Sequence, residues 1–406
     1  MRLIKSNRFY RWSLLANLLT QFGSSLYNIV FVVYVAETFQ SKLLVSLSNS
    51  IIMIPVLFQL WIAQKADETR HKGKWLVRIG WLQGIFFFIV AGLTGQATLF
   101  AFAMICLMNV LTDALASYHG NLFMPMVSHQ IPTDDLVTAY SGFNIVAYLC
   151  AIGGQSLGIW LLSLTHQNFT LIAILNAVSF ILSSVVLFSI RKELTHDPVM
   201  LQEKGRFLKK LQQTYQLARQ TFAENGGLSF VSLFASLVIL NVLSSAVLPI
   251  LTIFYLNHQL FTLSYADTIL LMQMVGMVGA LIGNARPSGF FADKSLAFIL
   301  KFEVLVIVLI ALAGLLRLPS ITIILLYGLD AYLTGKFNPK ISAFWAKHIP
   351  ENQLAQVRSL ISTMVMLALP VGTAIFSGLS VYSLSLTWGI FLILALFPYL
   401  IIFRNM

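Results

Sequence analysis

The stretches SHQIPTDDL (128–136) and AKHIPENQL (346–354) share one frame, in which Ile-Pro is followed by three polar residues and a leucine. They lie 218 positions apart, which is about half the length of the 406-residue chain. A short loop that recurs at this distance predicts two related halves with the same order of segments.

Three further pairs of stretches recur in the same order along the chain, with offsets of 217 to 224 residues. Each pair occupies the same place in its half, so the halves align over most of their length. The pairs are ANLLTQ (16–21) with LNVLSS (240–245), WIAQ (61–64) with LIGN (281–284), and DALASYH (113–119) with DAYLTGK (330–336).

The composition excludes a water-soluble protein. Hydrophobic residues make up 58% of the chain and charged residues only 10%, whereas soluble domains have about 25% charged residues. Too little polar surface is available to cover so large an apolar core, so the chain is expected to be an integral membrane protein. Its two cysteines, Cys106 and Cys150, lie inside apolar runs and have neither a disulfide framework nor metal-ligand spacing.

Twelve apolar segments are long enough to cross a bilayer, which takes about 20 residues. The first is long, contains Asn and Gln and lacks a small-residue cleavage site, so it is expected to be a retained helix rather than a signal peptide. The predicted spans 1 to 12 cover residues 13–36, 43–64, 76–94, 97–118, 138–164, 170–190, 228–256, 264–284, 296–316, 318–335, 356–379 and 384–403.

Basic residues are concentrated on one side of this predicted topology. With twelve spans, 24 of the 26 Lys and Arg residues fall on the side of the two termini, and only Lys42 and Arg317 fall on the other. Because cytoplasmic loops are enriched in basic residues, both termini are expected to be cytoplasmic. The net charge of +11 is then a topology signal, and no nucleic-acid partner is expected.

The predicted domains are a six-helix bundle over 1–190, a cytoplasmic linker over 191–227 and a second six-helix bundle over 228–406. Apolar residues recur at three- and four-residue steps in the linker, which predicts an amphipathic helix. Its basic residues suit an anionic lipid surface, although a plain tether between the bundles explains the linker equally well.

Two six-helix halves with a basic central linker resemble the major facilitator superfamily. The stretch YHGNLFMPMVSHQIPTDDLVTAYSGFN (118–144) is similar to the loop and fifth span of its bacterial macrolide-efflux-type drug exporters. The resemblance implies an all-α membrane protein of two pseudo-symmetric bundles, located in the bacterial plasma membrane. A monomer is the default expectation, with membrane lipids as neighbours, and no cofactor is expected.

The resemblance extends to AQKADETRHKGK (63–74), which follows span 2 and matches the superfamily's acid-and-base loop motif. Asp67 matches the acid and Arg70 the basic cluster, whereas Ala63 replaces the usual glycine. The resemblance implies that both residues, together with Asp113 in span 4, form a charge network that latches the cytoplasmic side. A static anchor for the loops is the alternative interpretation.

The second half carries a weaker version of this gate. Asp330 aligns with Asp113, and the expected partner of Asp330 is Lys336 or Lys294.

In the superfamily fold, a substrate cavity is expected near the midplane, lined by polar residues that share helix faces. The same residues could instead join helices to one another by hydrogen bonds. The candidates, with one aromatic side chain among them, are Asn17, Gln21, Ser24, Asn28, Phe31, Asn144, Tyr148, Asn241, Ser245 and Gln273.

Ionisable residues within spans are costly and therefore need a reason. Glu37 and Asp113 are the candidates for proton coupling, ahead of Glu303, although water at the membrane interface also explains Glu37. Glu303, about two turns into span 9, is expected to face lipid headgroups or a neighbouring helix. No Lys or Arg lies at mid-depth in any predicted span, which favours neutral or cationic substrates over strongly anionic ones.

The resulting functional hypothesis is an alternating-access transporter that exports lipophilic or cationic small molecules in exchange for protons, as drug exporters do. The alternatives are a carrier for a specific metabolite or lipid, and a membrane sensor that does not transport. An enzyme is not expected, because the serine motif GQSLG (154–158) lies inside an apolar helix rather than on a strand-to-helix turn.

Overall fold

A computed structural model describes residues 2–194, 216, 219–220, 230–285, 290–291, 294–349, 357 and 361–404 of the chain. The predicted amphipathic helix of the linker lies almost entirely outside these residues. All the regular secondary structure in the described residues is helical. Its helices are Arg2–Ser6, Arg8–Phe39, Lys42–Ile51, Ile54–Leu57, Gln59–Glu68, Lys72–Leu93, Leu99–Gln130, Thr133–Leu164, Phe169–Ser189, Phe230–Tyr255, Tyr265–Ala285, Leu296–Leu315, Ser320–His348, Ala368–Tyr382 and Leu384–Arg404.

Each of the twelve predicted spans coincides with a helix or a broken helix, which confirms an all-α membrane protein. Within the described ranges, nine helices are long and apolar enough to cross a membrane, and a bent pair forms a tenth candidate. The remaining two spans correspond to Ser320–His348, which is more polar, and to Leu384–Arg404, whose described apolar part Leu384–Leu400 is short.

Span 2 is the bent pair. The helix pieces Lys42–Leu57 and Gln59–Glu68 meet at an angle of 41°, whereas a single helix over 43–64 was predicted. Phe58 lies at this bend. Pro55 accounts for a separate interruption between Ile51 and Ile54, because proline removes a backbone donor and its ring clashes with the preceding turn.

The repeated Ile-Pro loop ends two long helices in the same way. Ile131 and Ile349 are both extended, with φ/ψ of −112°/131° and −103°/133°. Their N–H groups donate to Val127 and Trp345, at 3.2 and 2.9 Å. The residue before a proline is driven out of the helical region, so each helix ends at the isoleucine.

The same observation corrects two predicted boundaries. The helices of spans 4 and 10 continue to Gln130 and His348, well beyond the predicted ends at 118 and 335. The predicted ends lie where polar residues begin. Polarity does not stop a helix outside the apolar layer, whereas the Ile-Pro pair does.

The chain divides into two compact units, which are Met1–Leu44 with Ile54–Leu201 and Val45–Met53 with Gln202–Met406. Residues Val45–Met53 of span 2 therefore belong to the second unit. There Ser46 and Ser377 lie 3.0 Å apart, and Asn49 donates to Thr252 at 3.0 Å.

Within each unit the helices pack in corresponding pairs. In the first unit, span 1 packs on spans 5 and 6, span 2 on span 4, and span 3 on spans 4 and 6. In the second unit, span 7 packs on spans 11 and 12, span 8 on span 10, and span 9 on spans 10 and 12. The internal packing of both units thus follows the repeat seen in the sequence.

Glycines allow the closest of these contacts. In the second unit, a Cβ added to Gly335 of span 10 would lie 2.6 Å from the Ala280 carbonyl oxygen of span 8. A Cβ on Gly276 of span 8 would lie 2.6 Å from the Tyr327 ring of span 10. Small residues let two backbones approach closely in a membrane protein, and here they fix span 10 against span 8.

Candidate substrate and ion site

A cavity of about 430 Å³ lies within the second unit, between spans 7, 8 and 10. Its walls are apolar except for a few hydroxyl, amide and carboxyl groups, and none of the residues that line it is Lys or Arg. The lining residues are Ser244, Ser245, Leu248, Gln273, Gly276, Met277, Ala280, Tyr327, Asp330, Ala331 and Thr334.

Asp330 is the charged residue of this cavity. Its side chain is only 2% exposed, and Ser244 of span 7 donates a hydrogen bond of 2.6 Å to its Oδ2 atom. The other oxygen, Oδ1, is buried and has no hydrogen-bond partner among the described residues. A buried carboxylate that keeps one acceptor free can bind a cationic or hydrogen-bond-donating group in the cavity.

A second buried carboxyl group lies behind the cavity wall. Glu303 of span 9 is 5% exposed and accepts a hydrogen bond of 2.9 Å at Oε1 from Thr334. Its Oε2 atom is also buried and unpaired in the described part of the chain. Because Thr334 is four residues after Asp330, both residues lie on one face of span 10, one turn apart.

Ring packing determines one wall of the cavity. Gly276 has no side chain, so the ring of Tyr327 fits against span 8 where a Cβ would collide with it. Tyr327 lies three residues before Asp330 and therefore on the same side of the helix. An aromatic ring beside a carboxylate offers a second favourable contact to an organic cation.

The structure brings two of the predicted cavity residues of the second unit together, since Ser245 and Gln273 both line this cavity. Ser245 Oγ donates to the backbone oxygens of Val242 at 2.9 Å and Leu369 at 3.2 Å. Asn241 instead donates to Leu237 within its own helix, at 2.9 Å.

The cavity candidates of the first unit lie in different environments. Asn17, Gln21 and Ser24 are partly buried along span 1. Phe31 is buried, with its ring centroid 6.4 Å from that of Tyr27. The remaining three, Asn28, Asn144 and Tyr148, are exposed on this unit. Their role in substrate binding stays a prediction.

The residues predicted for the cytoplasmic gate are also spread out. Asp67 and Arg70 are exposed and Asp113 is partly buried. Ion pairs in the described ranges join Arg8 to Glu193 at 3.7 Å and Lys65 to Glu68 at 2.8 Å, so they do not include the expected network. The latch remains a prediction.

Of the residues predicted for the second-half gate, Asp330 lines the cavity and Lys336 does not. Asp330 pairs with the Ser244 hydroxyl, while the buried Lys336 ammonium lies 5.5 Å from the centroid of the Tyr332 ring. Glu37, the other proton-coupling candidate, is partly buried near the end of span 1. Within the described residues, no group of three or more His, Cys, Asp or Glu side chains could hold a metal ion.

Sequence reasoning missed Tyr327 and Thr334. The spacing of Tyr327, Asp330 and Thr334 by three and four residues was the available signal, because it places all three on one helix face. One of the two expectations for Glu303, a contact with a neighbouring helix, is met by its hydrogen bond with Thr334 of span 10. For Glu303 the only signal was an acid in an apolar span, and its packing partner Thr334 lies 31 positions away.

Repeated helical units around buried polar groups define a membrane-transport fold. The sequence pattern of the Major Facilitator Superfamily matches residues 13–373, and the chain belongs to this family. Among curated proteins, none matches the chain closely enough to count as a relative.

Several solved structures share the fold. A bacterial homologue of the iron transporter ferroportin has a TM-score of 0.73 at 15% identity, with 98% of each chain covered. The nucleoside transporter NupG has a TM-score of 0.68 at 12% identity, with 98% of this chain and 99% of that chain covered. A peptide transporter has a TM-score of 0.64 at 16% identity, with 98% and 95% covered. At these identities the likeness concerns the fold alone.

Proposed function

We propose that this protein exports lipophilic or cationic small molecules by alternating access, in exchange for protons. The observation that carries the proposal is Asp330, a buried carboxyl group with one unpaired oxygen in a cavity that no Lys or Arg lines. An isolated anion at such a depth is costly, so it needs a positively charged partner or a proton for part of the cycle.

The rest of the cavity suits an organic cation. Leu248, Met277 and the Tyr327 ring supply apolar and polarizable surface, while Gln273 and the serine hydroxyls supply a few hydrogen-bonding groups. Methionine adapts to ligands of different shape, and aromatic rings attract cations. Such a surface accepts bulky lipophilic cations better than small, strongly hydrated ones.

The membrane orientation belongs to the same proposal. We place both termini on the cytoplasmic side of a bacterial plasma membrane, since 24 of the 26 Lys and Arg residues then face the cytoplasm. Asp67, Arg70 and Asp113 act as the cytoplasmic latch, and the protein works as a monomer. Glu37 and Asp113 are the first-unit candidates for carrying protons.

Flux into proteoliposomes tests the function directly. Purified protein is reconstituted into vesicles, and the movement of tetraphenylphosphonium, a lipophilic cation, is followed with and without an imposed pH gradient. The proposal expects movement of the cation against the proton flow, abolished when a protonophore collapses the gradient.

The alternatives give different results in the same vesicles. A facilitated carrier for a metabolite would move that metabolite equally with and without the pH gradient. Tetraphenylphosphonium would not compete with the metabolite for transport. A sensor would bind the cation without any flux above that of protein-free vesicles. Either result would reject proton-driven export.

A further inference from the structure

We propose that Glu303 holds the proton that this transporter exchanges, and that a cation bound at Asp330 expels it. This inference rests on the proposed function and assigns its coupling to a pair of residues in the second unit. The pair consists of two buried carboxyl groups joined through span 10, one of which lines the cavity while the other lies behind it.

The two carboxyl groups differ in their position relative to the cavity. Asp330 lines the cavity, whereas Glu303 is not among the lining residues. Glu303 reaches the cavity wall only through Thr334, which donates to Oε1 at 2.9 Å and itself lines the cavity. An organic cation can therefore contact Asp330 but not Glu303, and only an ion as small as a proton suits the inner group.

Each of the two buried carboxyl groups has, within the described residues, one oxygen without a hydrogen-bond donor. Oε2 of Glu303 and Oδ1 of Asp330 have no hydrogen-bond partner in the ranges that the structure describes. Burying an unpaired carboxylate is costly, whereas a protonated carboxyl group is neutral and tolerated. When the cavity is empty, a proton on Glu303 removes one of the two charges.

Spans 9 and 10 and the helices that pack against them carry other titratable residues. Span 7 carries Tyr255 at its end, and span 8 carries Tyr265 and Asp267 in its first turn. Span 12 ends with Tyr399 and Arg404, and Lys294 precedes span 9. Spans 9 and 10 themselves add Lys301, Tyr327, Tyr332, Lys336, Lys340, Lys347 and His348.

These groups do not replace the proposed pair. Tyr255, Asp267 and Tyr399 lie at or near the ends of their helices, away from the middle of span 10. The Lys340 ammonium donates to the Lys294 backbone oxygen, at the cytoplasmic end of the unit. Asp330 and Glu303 are the two acids that share the middle of spans 9 and 10.

The exchange follows from electrostatics between neighbours. A cation that pairs with Asp330 places a positive charge about one helical turn from Thr334, which donates to Glu303. This charge stabilises the ionised form of Glu303. The Oε2–H bond then breaks, and the proton passes to cavity water on the cytoplasmic side. On the outer side the cation leaves, a proton from external water forms the Oε2–H bond again, and no other bond changes.

Proton release on cation binding tests the inference. Purified protein in weakly buffered detergent solution is mixed with tetraphenylphosphonium, and the released protons are measured with a pH indicator while calorimetry measures the affinity. Wild type is expected to release about one proton per bound cation near neutral pH. Its affinity is then expected to increase by up to about tenfold per pH unit, as reciprocal linkage requires.

The variants separate the two carboxyl groups. Glu303→Gln is expected to bind the cation with little dependence on pH and to release no proton. Thr334→Val keeps the side-chain shape but removes the hydroxyl, and it is expected to shift the pH at which release occurs. Asp267→Asn is the matched control, because this exposed carboxylate accepts from Ser264 at 2.6 Å and is expected to behave as wild type.

The outcomes distinguish this inference from the proposed function. Undiminished proton release by Glu303→Gln would overturn the assignment of the proton to Glu303. The assignment would also be overturned if proton release by wild type depended on the sodium concentration and not on pH. If wild type binds no cation at all, the proposed function itself fails. If Glu303→Gln does not fold, an unchanged pH profile in Thr334→Val would overturn the inference.

Discussion

Ser244 on span 7 donates a 2.6 Å hydrogen bond to Oδ2 of Asp330 on span 10, and it thereby links two helices through a buried carboxylate. Hydrogen bonds to ionised acceptors are short and stronger than neutral ones. The bond fixes one carboxylate oxygen and leaves Oδ1 as the acceptor for a ligand. The cavity is therefore organised before a substrate enters.

Removing this hydroxyl should lower the stability of the empty protein. Ser244→Ala leaves Oδ2 without its donor, at an expected cost of about 1–3 kcal/mol. Thermal unfolding of detergent-purified protein measures the effect, and bound tetraphenylphosphonium should recover part of it by providing a new partner. Ser236→Ala is the control on the same helix, because its hydroxyl donates only to the Ser232 backbone at 2.8 Å. Equal losses in both variants would contradict a special role for Ser244.

The contact between spans 8 and 10 should tolerate no side chain at Gly335. Gly335→Ala places a Cβ 2.6 Å from the Ala280 carbonyl oxygen, so the helices must separate. Overpacking of this kind costs about 1–3 kcal/mol and should widen the cavity that carries Asp330.

Gly378→Ala provides the comparison for Gly335. An added Cβ there meets nothing within 4 Å, and alanine favours a helix by about 1 kcal/mol over glycine. Thermal stability should therefore fall for Gly335→Ala and stay level or rise for Gly378→Ala. A reversed order would show that spans 8 and 10 do not pack as described.

The cytoplasmic latch predicts an effect on rate rather than on stability. Asp67→Arg reverses an exposed charge of the loop motif and should slow cation flux. We expect a decrease of at least about fivefold, which corresponds to the weakest couplings usually found between distant sites. Glu68→Gln is the control, since its ion pair with Lys65 is exposed and contributes little. Unchanged flux in Asp67→Arg would leave the motif as a static anchor.

The proposed orientation makes a prediction that needs no substrate. Lys74 and Arg317 are exposed, and the proposed topology places them on opposite sides of the membrane. Each is replaced by cysteine in turn. A membrane-impermeant thiol reagent added to intact cells should label Arg317→Cys and spare Lys74→Cys. Background labelling should be low, because Cys106 and Cys150 are free but buried. Labelling of both positions in intact cells would contradict the topology.

The sequence predicted the fold well because membrane spans are encoded locally. Twenty apolar residues require a helix, and the Ile-Pro pair marked the same helix end in both halves. The bend in span 2 was harder to foresee, because Pro55 signals only the interruption between Ile51 and Ile54 and the bend itself lies at Phe58. The long helices of spans 4 and 10 were missed because polar composition was read as a loop, whereas backbone hydrogen bonding continues until a proline intervenes.

The site was only partly predictable because it depends on contacts between distant segments. Ser245 and Gln273 were identified from helix faces, and the cavity contains both. Asp330 was predicted to partner a lysine, but its depth and its serine partner come from packing 86 positions apart. Glu303 was expected to face lipid headgroups or a neighbouring helix, and its contact with Thr334 of span 10 connects it to the cavity.

Cation binding at Asp330 is the central claim, and calorimetry of tetraphenylphosphonium binding to wild type and Asp330→Asn tests it most directly. Removing one partner of a buried charge pair costs about 2–5 kcal/mol, so the affinity of Asp330→Asn should fall at least about 30-fold. Glutamate at the same position, Asp330→Glu, should recover part of the affinity. Binding of equal strength by wild type and Asp330→Asn would contradict the account.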